Sequence, residues 1–390
     1  MRSHRRVPVT AMALAIALGG LTSCTAADRA VFGAPRCSDA EASPTIIRHQ
    51  PGQAVLMSPA TRSSLPVGPV AGWEQVVSVA DGRTSLAAVH PDGTVSVVGV
   101  DHDGSLAGAG GGATELLVPR PVPGLSDAVA VSAAGSAFLV THSDGTITAW
   151  GDDLLASGGH RSEDRHSRPP AKVEGVEDVV AVADGALNVL ALHSHGGVTG
   201  WGVNLTQILG DEDGTRVREI SDAPGSVAVA NPGGAAVVAT GAGEVCAWGN
   251  NSNGLLGVEP RGGQSSRPVR VADLEDVTDV AGGNDHALAL DTAGRVWVWG
   301  RTGSGALGDG TTEDTAVATP RQVPGLPPAQ RVFASDSASY AIDHDGALWS
   351  WGNSRRVAPY ETPDLLPRVI ALPGPAQEVS GNVVLLGPRS

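Results

Sequence analysis

A repeat of about fifty residues constrains this chain more than any other feature of its sequence. Six short apolar segments end in a glycine, with spacings of 52, 51, 47, 51 and 52 residues: Gly99, Gly151, Gly202, Gly249, Gly300 and Gly352. Val98 precedes the first of them, and a tryptophan precedes each of the others: Trp150, Trp201, Trp248, Trp299 and Trp351. Repetition at this period indicates one supersecondary unit that is used several times.

Each repeat carries the pattern of a β-hairpin. Two short apolar runs flank a glycine-containing turn: Asp92-Gly93, Asp144-Gly145, Gly196-Gly197, Ala242-Gly243, Ala293-Gly294 and Asp345-Gly346. A β-rich run such as VVAVA precedes the hairpin in most copies, and a proline-marked segment such as RPVRV follows it. Four short strands per unit, repeated radially, predict an all-β propeller with four-stranded blades.

The two chain ends predict how this propeller closes. The tail PAQEVSGNVVLLGPRS resembles the first half of a unit, and the segment from residue 46 to Trp73 resembles a second half. Joined, they make a seventh blade, so that the propeller occupies residues 46–390 and two exposed sheet edges are removed. An open ring of six blades is the alternative.

The tryptophans and the following glycines are predicted to be architectural. The chain has eight tryptophans but only three phenylalanines and two tyrosines. Regularly spaced aromatic residues in a repeat more often fill the space between units than bind a ligand. The glycine allows a sharp exit that a side chain would obstruct.

The first 23 residues are predicted to be a signal peptide. Arg2, Arg5 and Arg6 precede the apolar run AMALAIALGG, which is too short to span a bilayer. The following LTSC resembles the lipobox of bacterial lipoproteins, which implies cleavage before Cys24 and lipidation of its thiol. We therefore expect an exported lipoprotein on the extracytoplasmic side of the cell membrane, with residues 24–45 as a flexible tether. A plain secretory signal is the alternative.

Charge and cysteine content limit the function classes. The formal charge is −15, and loss of the signal peptide would leave 23 basic against 41 acidic residues. Such an acidic chain is not expected to bind nucleic acid. Cys37 and Cys246 would remain in the propeller chain; the sequence leaves their pairing open, and we expect two unpaired, small apolar side chains.

No motif predicts a metal, a cofactor or a catalytic centre. The acidic loops 211–215 and 308–314 lack the full oxygen set of a calcium loop. The histidines are not spaced as zinc ligands: His160, His166, His193 and His195. The charged segment 160–168 is expected to be solvated, with docking of a partner as the alternative, and no Ser-His-Asp set is recognisable.

Two segments resemble a known repeat family. VTDVAGGNDHALALDTAGRVWVWGRTGSGALGDG at 277–310 and WGNNSNGLLG at 248–257 are similar to the regulator of chromosome condensation repeat. The resemblance extends from about residue 46 to the end, and it implies a seven-bladed propeller with a split closing blade. Founding members of that family are nuclear exchange factors for a small GTPase and bind chromatin. This chain has no equivalent of their exchange wedge and no basic tail, so we do not transfer that activity.

The family histidine survives only as His286, and this position predicts one candidate binding rim. The row expected there is Ser85, Phe138, Asn188, His286 and Ser339, with Ala236 in the fourth unit. We expect a monomeric, non-enzymatic scaffold that binds an unidentified protein through the loops after each Trp-Gly. One alternative is an inhibitor of an enzyme such as a class A β-lactamase, since secreted propellers with this repeat include one that acts through an aromatic rim. A propeller lyase or hydrolase is the other.

Overall fold

The computed structural model describes most of the chain after residue 35. The described ranges are 36–38, 40–58, 64–82, 84–101, 104–107, 114–151, 168–185, 187–210, 216–220, 222–259, 261–301, 303–311, 315–353 and 364–388. Within them, 28 strands form seven antiparallel sheets of four strands each. The predicted signal peptide and Cys24 lie outside the described residues.

Six blades follow one another along the chain, each built from four consecutive strands. Blade 1 contains β3 (Ser78–Gly82), β4 (Ser85–Val89), β5 (Val95–Val100) and β6 (Glu115–Pro121). Blade 2 contains β7 (Ala128–Ala134), β8 (Ala137–His142), β9 (Ile147–Gly151) and β10 (Arg168–Lys172). Blade 3 contains β11 (Val179–Asp184), β12 (Asn188–His193), β13 (Val198–Gly202) and β14 (Arg218–Glu219).

The next three blades repeat this order. Blade 4 contains β15 (Ser226–Ala230), β16 (Ala235–Thr240), β17 (Val245–Asn250) and β18 (Gln264–Arg270). Blade 5 contains β19 (Val277–Gly282), β20 (His286–Asp291), β21 (Val296–Arg301) and β22 (Ala316–Gln322), with a 3-10 turn at Gly303–Gly305 before β22. Blade 6 contains β23 (Ala329–Ser335), β24 (Ser337–Asp343), β25 (Leu348–Asn353) and β26 (Asp364–Ile370).

The seventh blade is built from both chain ends, as predicted. Its strand order is β2-β1-β28-β27, where β1 is Ala54–Leu56, β2 is Gly68–Pro69, β27 is Ala376–Ser380 and β28 is Val383–Leu386. Val55 lies opposite Val384 in the antiparallel β1–β28 pair. The open six-bladed alternative is therefore wrong. Pairing of the two chain ends completes the seventh four-stranded blade and closes the ring, so that β1 and β28 are not exposed as sheet edges.

The second and third strands of each blade form the core because each sheet packs against a neighbour on both faces. In β8, β12, β16 and β20 every residue is buried. The proline-marked segments form outer strands such as β18 and β22, where a missing N–H costs no ladder bond. This accounts for strands that are apolar throughout instead of alternating.

The Trp-Gly pairs are architectural, as predicted. The tryptophans that precede Gly151, Gly202, Gly249, Gly300 and Gly352 are at most 1% exposed. Each described indole N–H of these pairs donates to a loop carbonyl of the preceding blade, for example Nε1 of Trp248 to the carbonyl of Ile208 at 2.7 Å. Gly249 has φ +103°, and a Cβ there would lie 2.6 Å from the carbonyl oxygen of Gly234. Burial of one such ring removes on the order of 200 Å² from water, about 5 kcal/mol before entropy is subtracted.

Candidate functional site

The strand order defines two faces of the ring. On the upper face, the first strand of each blade turns into the second, and the third leads into the fourth; the turns between second and third strands lie on the lower face. The loops after Trp-Gly therefore all emerge on the upper face. First strands surround a central channel of about 570 Å³.

The predicted binding row is buried and does not form one row. Its five predicted side chains are between 0 and 5% exposed: Ser85, Phe138, Asn188, His286 and Ser339. Three of them pair with the glycine that ends the third strand: Ser85 with Gly99, Asn188 with Gly202 and His286 with Gly300. The other two, Phe138 and Ser339, pair with the tryptophan instead, as Ala236 does. Adjacent register positions point to opposite faces of a sheet, so these side chains lie between blades and not on an exposed rim.

His286 and Ser339 connect two neighbouring blades. His286 in blade 5 and Ser339 in blade 6 point toward each other, with 2.8 Å between Nε2 and Oγ. Burial lowers the pKa of His286 to about 4, so the imidazole is neutral at pH 7. The contact joins two blades through a neutral hydrogen bond.

Phe138 also fills an interface between blades. Its ring lies against Gly82 of blade 1 and 5.5 Å from the ring of Trp150. Tyr340 is 1% exposed. The inhibitor hypothesis needs aromatic side chains on a rim, and these two buried rings give it no support.

The loops after Trp-Gly are only partly available for binding. In the loop that follows Trp248, Leu255 and Leu256 are buried, and the carbonyl of Leu255 accepts the indole N–H of Trp299 at 2.9 Å. Asn251 holds this loop, accepting from the amide of Leu256 at 3.1 Å. The segment 254–257 therefore packs against the next blade and is not available to a partner.

Exposed positions remain elsewhere on the upper face. Ser252 is exposed in the blade 4 loop. Leu187 and Leu205 are 49% and 75% exposed on blade 3, where the amide of Val203 donates to the carbonyl of Leu187. The predicted loop segments 211–215, 312–314 and 160–167 lie outside the described residues.

The described N-terminal residues 36–38 and 40–49 cross the lower end of the channel, and we call them the strap. Its residues Pro44, Thr45, Ile46, Ile47 and His49 line the channel. Glycines of blade 4 make room for it, since a Cβ on Gly225 would overlap the carbonyl oxygen of Ala40. Part of the segment predicted as a tether is therefore attached to the propeller.

A disulfide fixes the strap at its outer end, and here the expectation of unpaired cysteines was wrong. Cys37 is bonded to Cys246 in β17, across 209 residues of sequence. Glu244 supports the same end, because its Oε2 accepts from the hydroxyl of Ser38 at 2.6 Å and its Oε1 lies 3.1 Å from Nη1 of Arg270. At the inner end, Gln50 and Gln377 exchange two hydrogen bonds of 2.9 Å.

The channel wall above the strap carries charged groups that the sequence prediction missed. Nε of Arg331 lies 3.4 Å from Oδ2 of Asp279. Glu378 accepts from the amide of Val79 at 3.1 Å, and burial raises the pKa of Glu378 to about 7 despite that bond and nearby Arg331. Burial, followed by the charge of Arg331, lowers the pKa of His49 to about 4.

The sequence does contain a pattern that could have predicted these charged channel residues. VTDVA, AQRVFAS and AQEVS each place one charged residue inside an apolar first strand. Among the described residues, no group of three or more His, Cys, Asp or Glu side chains is placed to hold a metal ion. In the same ranges, no helix has the length and apolarity needed to cross a bilayer.

This architecture defines the class of protein: a seven-bladed propeller whose repeats interlock through Trp-Gly. A family model described as the RCC1-like domain matches residues 49–366. The chain belongs to the RCC1-like domain family.

Curated relatives share part of their length with it. The human E3 ubiquitin-protein ligase HERC2 is 29% identical over 300 residues, which is 72% of this chain and 6% of HERC2. The mitochondrial RCC1 domain-containing protein RUG3 of Arabidopsis thaliana is 29% identical over 235 residues, covering 55% of this chain and 51% of RUG3. The chain thus spans a small part of HERC2 and about half of RUG3.

Solved structures of similar propellers agree with the fold. Yeast RCC1 (Prp20), solved with Kap60, gives a TM-score of 0.72 at 19% identity and covers 88% of this chain and 89% of its own. Human WBSCR16 gives 0.73 at 21% identity, with 82% and 89% covered. At these identities the likeness concerns the fold.

Proposed function

We propose that this protein is an exported, lipid-anchored propeller that acts as a protein-interaction scaffold through its upper face. The observation that carries the proposal is that the strap and the loops after Trp-Gly lie on opposite faces of the ring. The lower face is where the strap is fixed by Cys37–Cys246, while every loop after Trp-Gly emerges on the upper face. Loops on a rigid framework are where binding residues concentrate.

Anchoring would orient the molecule. Cys24 precedes Cys37 by 13 residues, and a chain of that length reaches at most about 45 Å when fully extended. A lipid on Cys24 would therefore tether the molecule from its lower face, to which Cys37 is fixed, and leave the upper face accessible to proteins in the extracytoplasmic space.

Similar propellers support binding of proteins as the general activity. Yeast RCC1 (Prp20) was solved bound to Kap60, and the structure of Prp20p was described together with its binding to Gsp1p and histones. Those partners belong to the yeast protein. The acidic charge of this chain, −15, disfavours nucleic acid as its own ligand.

Crosslinking in cells tests both parts of the proposal. The wild-type protein should be recovered in the membrane fraction with the same crosslinked protein in independent repeats. Cys24→Ala should move to the soluble fraction, because the lipid alone supplies the anchor. Membrane retention of Cys24→Ala would refute the anchor, and absence of a recurring partner in wild type would refute the scaffold.

A further inference from the structure

The upper mouth of the channel collects hydrogen-bond acceptors. Its described lining includes Asp81, Asp184, Asn231, Asn284 and Asp336, together with small residues, around about 140 Å³. No arginine, lysine or histidine is among these described lining residues. The first strands of blades 1, 3 and 4 each contain a valine that pairs with the residue nine positions later, in the second strand. The residue two positions after that valine is therefore equivalent in the three blades: Asp81, Asp184 and Asn231.

The amide of Asn231 is held with its oxygen free. Nδ2 of Asn188 donates to the carbonyl of Val203 at 3.1 Å, which turns Oδ1 of Asn188 toward Nδ2 of Asn231 at 2.7 Å. Because a main-chain carbonyl can only accept, this chain of bonds sets both amide orientations. Oδ1 of Asn231 is then a buried acceptor without a described partner, in a residue only 5% exposed.

Among the described residues, no cation forms an ion pair with the neighbouring Asp184 carboxylate. Its side chain is exposed at the channel mouth, yet desolvation by the surrounding channel wall raises the pKa of Asp184 to about 6. Within the described part of the chain, a hydrogen bond from its own amide acts in the opposite direction. A buried acceptor and a desolvated carboxylate together favour a ligand that brings N–H donors and positive charge.

We propose that the upper mouth binds one lysine or arginine side chain, presented by a protein that docks on the upper face. The ligand chemistry is an organic cation: its N–H groups would donate to Oδ1 of Asn231 and to the Asp184 carboxylate. Leu187 and Leu205, exposed on the same blade as Asp184, offer apolar contact to the rest of the partner. The strap crosses the opposite end of the channel, so the site is entered from above. This inference rests on the proposed scaffold function, since it names the group that the scaffold recognises.

Short peptides test the site without knowledge of the partner. The probes are blocked Gly-Lys-Gly and Gly-Arg-Gly, with blocked Gly-norleucine-Gly as the neutral control. In amide NMR spectra of the purified protein, the cationic peptides should shift the signals of Asp184, Gly185 and Asn231 with a Kd in the millimolar range. The norleucine peptide should leave those signals in place.

Asp184→Asn should weaken binding of the cationic peptides at least tenfold, and Asp184→Ala should do the same if the first variant folds poorly. Asp345→Asn makes the same charge change on an exposed lower-face turn and should bind as wild type does. Equal shifts with the neutral peptide, or undiminished binding by a folded Asp184 variant, would overturn the site. Peptide binding without any crosslinked partner in cells would leave the site standing and remove the scaffold function.

Discussion

At the residue scale, the polar atoms between blades are arranged so that large side chains can be buried without a lost hydrogen bond. Nε1 of Trp150, Trp299 and Trp351 each donate at 2.9 Å to a carbonyl of the preceding blade's loop. His286 and Ser339 use the same principle with two side chains. A buried donor left without an acceptor would cost about 1–3 kcal/mol, so these pairs fix the distance between blades.

Burial of neutral His286 should make the fold sensitive to acid. The pKa of His286 is about 4 in the folded state and near 6.5 in the unfolded state. Between these two values the unfolded state binds a proton and the native state does not. The native state then loses stability progressively as pH falls toward 4. His286→Gln should remove about 2–3 kcal/mol of the loss between pH 7.5 and 4.5, measured by denaturant unfolding at each pH.

The matched control is the exposed His344. His344→Gln should keep the full acid sensitivity of the wild type. If His286→Gln and wild type lose equal stability over this pH range, the histidine is not buried in neutral form.

The misplacement of the binding row also belongs to this scale. In blade 5 the alanine near the end of the first strand directly follows Val280, whereas in blades 2 and 6 the corresponding Ala133 and Ala334 lie two positions after their valines. The predicted row is aligned on this alanine, so in blades 2 and 6 the predicted residue of the second strand lies one position away from the true equivalent of His286. A one-residue shift moves a side chain to the other face of the sheet, and no sequence pattern reveals it where both faces are apolar.

At the scale of elements, the strap is the part that the repeat cannot predict. Blades recur, so six copies of one pattern define their strands. The strap occurs once, and its disulfide joins residues 209 apart whose proximity depends on the whole ring. Three contacts hold it: the disulfide, the Ser38–Glu244 bond and the Gln50–Gln377 pair.

Cys37→Ser should release the outer end of the strap. Loss of this long cross-link should lower the free energy of unfolding by about 2–5 kcal/mol. The amides of Ser38 and Gln50 should exchange faster with deuterium, because their hydrogen bonds depend on a fixed strap. Cys37 is the better position to change, since a polar side chain at fully buried Cys246 would add its own cost.

A reducing agent provides the control for this variant. It should reproduce the destabilisation in wild type and have no effect on Cys37→Ser. Two free thiols titrating at Cys37 and Cys246 in unreduced, denatured protein would contradict the disulfide.

At the scale of the whole molecule, the closure of the ring could be predicted from the sequence, whereas the grouping of charged side chains in its channel could not. Both chain ends carry half of a blade pattern, and this made the seventh blade predictable from residues 46–390. Charged first strands at Asp279, Arg331 and Glu378 are visible in the sequence, but their grouping depends on how blades 5, 6 and 7 surround one channel. With the strap below and the loops above, the two faces of the ring differ in structure.

The most direct test of this account is site-specific photocrosslinking in cells on two exposed apolar positions. Leu205 on the upper face and Val118 on the outer strand of blade 1 are 75% and 67% exposed, so each can be replaced by a photoreactive residue without disturbing the core. Recognition through the upper face predicts a recurring protein adduct from position 205 and none of the same mass from position 118. The same adduct from both positions, or a recurring adduct from 118 alone, would contradict recognition through the upper face.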